Sequence, residues 1–159
     1  MHDSVRPVAQ LYGVNTQLLE RALDGLDEGD LRRPPAEGMN PPLWIAGHVA
    51  SVRFSLCAML GAPRDNPFGK TFFRGSALDL AALPELSAVR RTWTEVSALL
   101  LEKLEEATAE QLEAPAPKKF AIDDATVRGS LTFLCWHEGY HIGQLSLLRK
   151  WRGLSGLVG

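Results

Sequence analysis

Cysteine is scarce: only Cys57 and Cys135 occur among 159 residues. Both fall in apolar helical patterns, which suits small buried thiols better than a disulfide or a thiolate metal site. No run of Lys and Arg occurs and the formal net charge is −2, so nothing draws the chain to nucleic acid. No apolar run approaches the ~20 residues of a membrane helix, so no membrane association is expected. The opening "MHDSVRPVAQ" carries an acid and a proline where a signal peptide needs an apolar core. A cytoplasmic address is the expectation. Convincing strand patterns, internal repeats and low-complexity blocks are also missing. What is there is ordinary globular material, 45% hydrophobic and 23% charged. It is long enough to fold without staples, as one domain over 1–159.

Four helical patterns stand out. In the first, Val8, Leu11, Asn15, Leu18 and Ala22 recur at steps of three and four, ending near Gly25. The buried Asn15 is expected to bond to backbone. The connector "RRPPAEGMNPP" follows. Asn40 is the expected N-cap of the second helix, with Pro41 and Pro42 in its first turn. That helix runs to about Leu60 and carries Ile45, His48, Val52, Leu56 and Met59 along one stripe. "RDNPFGKTFFRGSALDLAAL" is the longest irregular stretch, and such loops are often functional or mobile. Pro84 is expected to open the third helix, striped by Leu86, Val89, Trp93, Val96, Leu100 and Leu104. The fourth spans about Thr126 to Arg152. Four amphipathic helices in one small chain imply an all-α four-helix bundle. The stretch between helices two and three is long enough to serve as a crossover. Trp44, Trp93, Trp136 and Trp151 are expected to pack, and Trp44 and Tyr140 can also wall a pocket near the histidines.

"WHEGYHIGQ" contains H-E-x-x-H, the helical signature of zinc proteases. His137 and His141 are four apart, so they lie one above the other on a helix face and can reach a single ion. A protease needs a third ligand, usually downstream. "IGQLSLLRKWRGLSGLVG" offers no His, Asp, Glu or Cys there. Gln144 and Leu147 stand where the extended motif wants glycine and histidine. The protease alternative therefore recedes. His48, on the inward stripe of the second helix, is the upstream histidine that completes a triad. His2, at the terminus, is a poor candidate. A metal satisfies three buried imidazoles together, and helix bundles commonly build such sites from facing helices. Three imidazoles leave open positions on the ion, for water that the metal acidifies or for a thiol bound as thiolate. The all-nitrogen set suits Zn, Ni, Cu or Fe, with geometry deciding among them, and zinc or nickel is the expected divalent ion. Glu138 lies about 100° around the helix from His137. It is either a catalytic base, or a carboxylate that orients an imidazole or faces a neighbouring helix. Gln144 stays near the histidine face and can hydrogen-bond within the site.

"NPPLWIAGHVA" and "HEGYHIGQLSLLRKWRGL", with the four-helix spacing, resemble the DinB/YfiT-like superfamily of small metal-binding bundles. The resemblance covers nearly the whole chain. It implies His48, His137 and His141 as ligands, a crossover between helices two and three, and homodimers. Members of the family include metal-dependent hydrolases and transferases or isomerases that use low-molecular-weight thiols. The expected function is thus a metal-dependent enzyme, hydrolase or thiol S-transferase, acting on a small molecule. The alternative is a protein that binds a metal or small ligand without turnover.

Overall fold

The computed structural model describes residues 1–73 and 78–158. A short 3-10 turn, Asp3–Val5, leads into α1 (Arg6–Leu23). Then come α2 (Glu28–Arg32), α3 (Pro42–Met59), α4 (Leu86–Glu106), α5 (Ala109–Glu113) and α6 (Val127–Trp151). The four long helices are those expected from periodicity. The two short ones interrupt stretches that carry no periodic pattern. Asp27 caps α2 by accepting from the Asp30 amide, and a capping box of Thr108 and Gln111 starts α5. Asn40 is not a cap: Pro41 holds that position, and Pro42 is the first helical residue. α4 starts at Leu86, two residues beyond Pro84. Among the described residues no strand forms, and one isolated bridge joins Pro115 to Thr126. No described helix is long and apolar enough to cross a membrane.

The bundle buries two apolar clusters, one at each end. The first gathers Leu19 and Leu23 of α1, Leu43 and Val49 of α3, Val89 and Trp93 of α4, and Ile142 and Leu145 of α6. The second gathers Ala9 and Tyr12, Leu56 and Cys57, Val96 and Leu100, and Leu131 and Leu134 of the same helices. Each fully buried leucine contributes about 1.5–3 kcal/mol. The order of the residues gives the directions. α3 and α4 both run from the first cluster to the second, while α1 and α6 run the other way. α3 and α4 are therefore parallel neighbours. The chain between them, residues 60–85, must return along a helix of about 27 Å, and it is the expected crossover. Residues 74–77 of this crossover lie outside the described residues. Around the bundle, α1 neighbours α6 and α4, and α3 neighbours α6 and α4.

α3 is not the one-sided helix its stripe suggests. Leu43, Trp44, Ile45, Ala46, Gly47, Val49, Ala50 and Ser51 are all buried. α4 and α6 flank it, α2 packs beside it, and the crossover covers what is left. A helix apolar all round belongs in such a place.

Candidate metal centre

The site forms where α3 faces α6, towards the first cluster. His48 Nε2 lies 3.4 Å from His137 Nε2, which lies 3.1 Å from His141 Nε2. One nitrogen from each of the three rings falls within 4.8 Å of the others. The histidine triad read from the sequence is thus one cluster. His2 is elsewhere, accepting from the Ser4 amide at the start of the chain.

The other ring nitrogens decide what the cluster presents. His48 Nδ1 stands 2.7 Å from the carbonyl oxygen of Phe72. A carbonyl only accepts, so Nδ1 carries the proton and Nε2 of the neutral ring is a lone pair. His141 Nδ1 stands 2.7 Å from Gln144 Oε1, with the same consequence. Two lone pairs therefore face His137 Nε2. A single N–H there can answer only one of them. His137 Nδ1 is itself buried without a hydrogen-bond partner. All three rings are pushed toward the neutral form. Burial lowers His48, opposed by the Phe72 bond. Burial, and then the nearby His141 and His48, push His137 down to about 4. Burial lowers His141 as well, against the Gln144 bond. Neutral imidazoles with converging lone pairs are in the form that can ligate a metal. Metal–nitrogen bonds of ~2.0–2.1 Å require nitrogens roughly 2.9–3.4 Å apart, and the His48–His137 and His137–His141 separations fall in that range.

The surroundings fix the rings. Trp44, one turn before His48 on α3, stacks on it at 5.0 Å and 10°. Gln144 bonds His141 on one side and donates to the Tyr140 hydroxyl on the other, at 3.3 Å. The Tyr140 ring meets His141 edge-on at 5.2 Å. Gly47 has a special part. A Cβ there would lie 2.3 Å from the Phe72 ring. Its absence lets the crossover sit down on α3, which brings the Phe72 carbonyl to the very next residue, His48. Sequence reasoning missed this partner because a backbone carbonyl leaves no side-chain signature. The Gly-His step beside a long connector was the signal available.

Glu138 does not join the cluster. It is buried and faces α3, where Arg53 holds both its oxygens, Nη2 at 2.6 Å and Nε at 2.9 Å. This placement is that of a carboxylate facing a neighbouring helix. Arg53 is wholly buried too. It donates to Thr16 Oγ1 and the Tyr12 carbonyl and stacks over the Trp93 ring at 3.8 Å. This pair was not foreseen, although a lone cation in "ASVRFSLCAML" and a lone acid in an apolar helix pointed to it. Cys57 and Cys135 are free and buried. Trp44 and Trp93 pack in the core, but Trp136 and Trp151 are exposed. Asn15 is buried yet bonds to no backbone group among the described residues.

A model of the DinB superfamily matches residues 11–145, which takes in the whole triad. The chain belongs to the DinB superfamily. A solved structure similar to this DinB chain is that of YfiT from Bacillus subtilis, described as "a probable metal-dependent hydrolase with an unusual four-helix bundle topology". It superposes with a TM-score of 0.67 at 17% identity, over 98% of this chain and 91% of that one. At that identity the likeness is one of fold. No curated protein sequence matches.

Proposed function

We propose that this DinB protein binds one divalent transition metal, zinc or nickel, through the Nε2 atoms of His48, His137 and His141, and uses it as an enzyme on a small molecule. The observation that carries the reading is the convergence of three neutral imidazole nitrogens, two of them already committed as lone pairs by Phe72 and Gln144. An ion held there supplies Lewis acidity and open positions for a substrate or nucleophile. The chain's own part is to hold the rings. Phe72 and Gln144 fix the tautomers, and Trp44 shields one face of His48.

Within the enzyme reading, hydrolysis and thiol transfer place different demands on the protein. Activating water by general-base catalysis calls for a carboxylate beside the nucleophile. Among the described residues no carboxylate joins the cluster, and Glu138 is engaged by Arg53. A divalent ion acidifies bound water only to about neutrality but deprotonates a coordinated low-molecular-weight thiol outright, so the missing base weighs more on hydrolysis than on thiol transfer. This observation favours the thiol S-transferase over the hydrolase. Homodimerisation and a cytoplasmic address, where two free interior thiols are at home, complete the proposal.

Isothermal titration of chelator-treated protein with zinc and nickel tests the metal. One equivalent should bind, and failure to bind either ion refutes the site. Assays of paired thiols and electrophiles beside simple esters then test the reaction, with His137→Ala as control. A metal-binding protein that turns over none of these substrates is a binder and not an enzyme.

A further inference from the structure

On the opposite flank of α6, away from α3, a second site takes shape. Trp136 and Tyr140 stand one turn apart, 63% and 54% exposed, with rings 6.1 Å apart and 28° from parallel. Val8 and Leu11 of α1 face them. Between the two helices lies a groove of about 500 Å³, floored by Asn15, Cys135 and Gly139. Small-molecule sites typically measure roughly 300–1,000 Å³.

Asn15 is the telling residue. It is 8% exposed, lines the groove, and its carboxamide bonds to no described residue. Its amide is not sealed off like Ser51 Oγ or His137 Nδ1 but opens onto the groove, where its partner is either water or a bound molecule. Gly139 tells the same story from the other helix. A Cβ there would meet nothing within 4 Å, so the missing side chain serves no packing inside the molecule. It keeps the floor open. The remaining lining is inert. Thr132 already spends its hydroxyl on the Arg128 carbonyl. Burial, with the Glu138 charge, pushes the Cys135 thiol up to about 12, so it offers surface and not a nucleophile.

The lining also states what fits. No charged side chain borders the groove, so a neutral ligand suits it. Two near-parallel aromatic rings offer a platform for a flat ring. A carboxamide presents a donor and an acceptor side by side, the complement of another amide edge. We infer that the α1–α6 groove binds a neutral, planar molecule with an amide or lactam edge, stacked on Trp136 and Tyr140 and paired to Asn15. The inference stands apart from the metal reading, since none of the three histidines lines the groove. Tyr140 alone belongs to both places.

Benzamide, toluene and benzoate are the probes, titrated into the full chain while the Asn15 side-chain amide is followed by NMR and tryptophan fluorescence is recorded. Benzamide should shift the Asn15 resonance and bind at least about fivefold more tightly than either analogue. Asn15→Leu should abolish that preference, and Gly139→Leu should block all three probes. Should Gly139→Leu fail to fold, the Asn15→Leu comparison decides alone. His48→Ala should leave benzamide binding unchanged, which separates this site from the metal centre. Equal binding of benzamide and toluene, or a preference that survives Asn15→Leu, overturns the inference. So does a dimer in sedimentation whose contact shields Trp136 and excludes benzamide, for the groove would then be an interface between copies.

Discussion

Two polar groups join α3 to α6 within about two turns of each other, and they are built on opposite principles. Arg53 and Glu138 meet where the two apolar clusters adjoin, and the guanidinium finds a partner in every direction: a carboxylate, a hydroxyl, a carbonyl and an aromatic face. The histidines, nearer the surface, have their outer nitrogens cared for at His48 and His141, while the inner nitrogens confront one another. Full satisfaction marks a group that the chain keeps for itself. Ordered dissatisfaction marks one prepared for a guest. The H-E-x-x-H motif spans both, since Glu138 serves the first and its flanking histidines the second.

That contrast can be broken experimentally. The largest effect belongs to the satisfied pair. Glu138→Ala leaves a buried guanidinium uncompensated and should cost about 3–5 kcal/mol in urea unfolding. A loss below about 1 kcal/mol would show that the pair is not structural. His48→Ala should do the reverse, sparing the fold of the metal-free protein. Its zinc affinity, read by titration calorimetry, should fall by more than the roughly 10–100-fold typical of losing an outer partner. Unaltered affinity would remove His48 from the triad. Gln144→Leu removes such an outer partner and should weaken zinc binding by about 10-fold. The subtlest test is pH. An unfolded histidine takes up its proton near 6.5, whereas His137 in the fold resists until about 4. Between those values the unfolded chain holds more protons, so metal-free protein loses stability as pH falls through the window. His48 and His141 act in the same direction. His137→Ala should flatten the dependence, measured as urea midpoints from pH 7 to 4.

The long helices were legible because each shows an apolar stripe at helical spacing, and the triad because imidazoles are rare and chemically conspicuous. His137 and His141 could be paired from their spacing alone. What escaped was whatever depends on a neighbour. Trp136 and Trp151 look like core residues by composition, but the packed bundle leaves both exposed. Glu138 could be placed on its helix, but its partner lies 85 residues away on another one. Phe72 contributes an atom that every residue possesses, so no residue type betrays it.

The clasp of Phe72 on His48 has a consequence for how the protein comes into being. His137 and His141 are set side by side by a single turn of α6 and are available as soon as that helix forms. His48 arrives from 89 residues away, and its proton is placed only when the crossover has come to rest against Gly47. A partly assembled chain therefore offers an ion two donors and an unsteady third. Three-donor binding of the proposed ion requires that loop to be closed, which carries an entropic cost. If the triad holds the proposed ion, tight binding reports the finished architecture, and a chain with its crossover undocked binds it weakly.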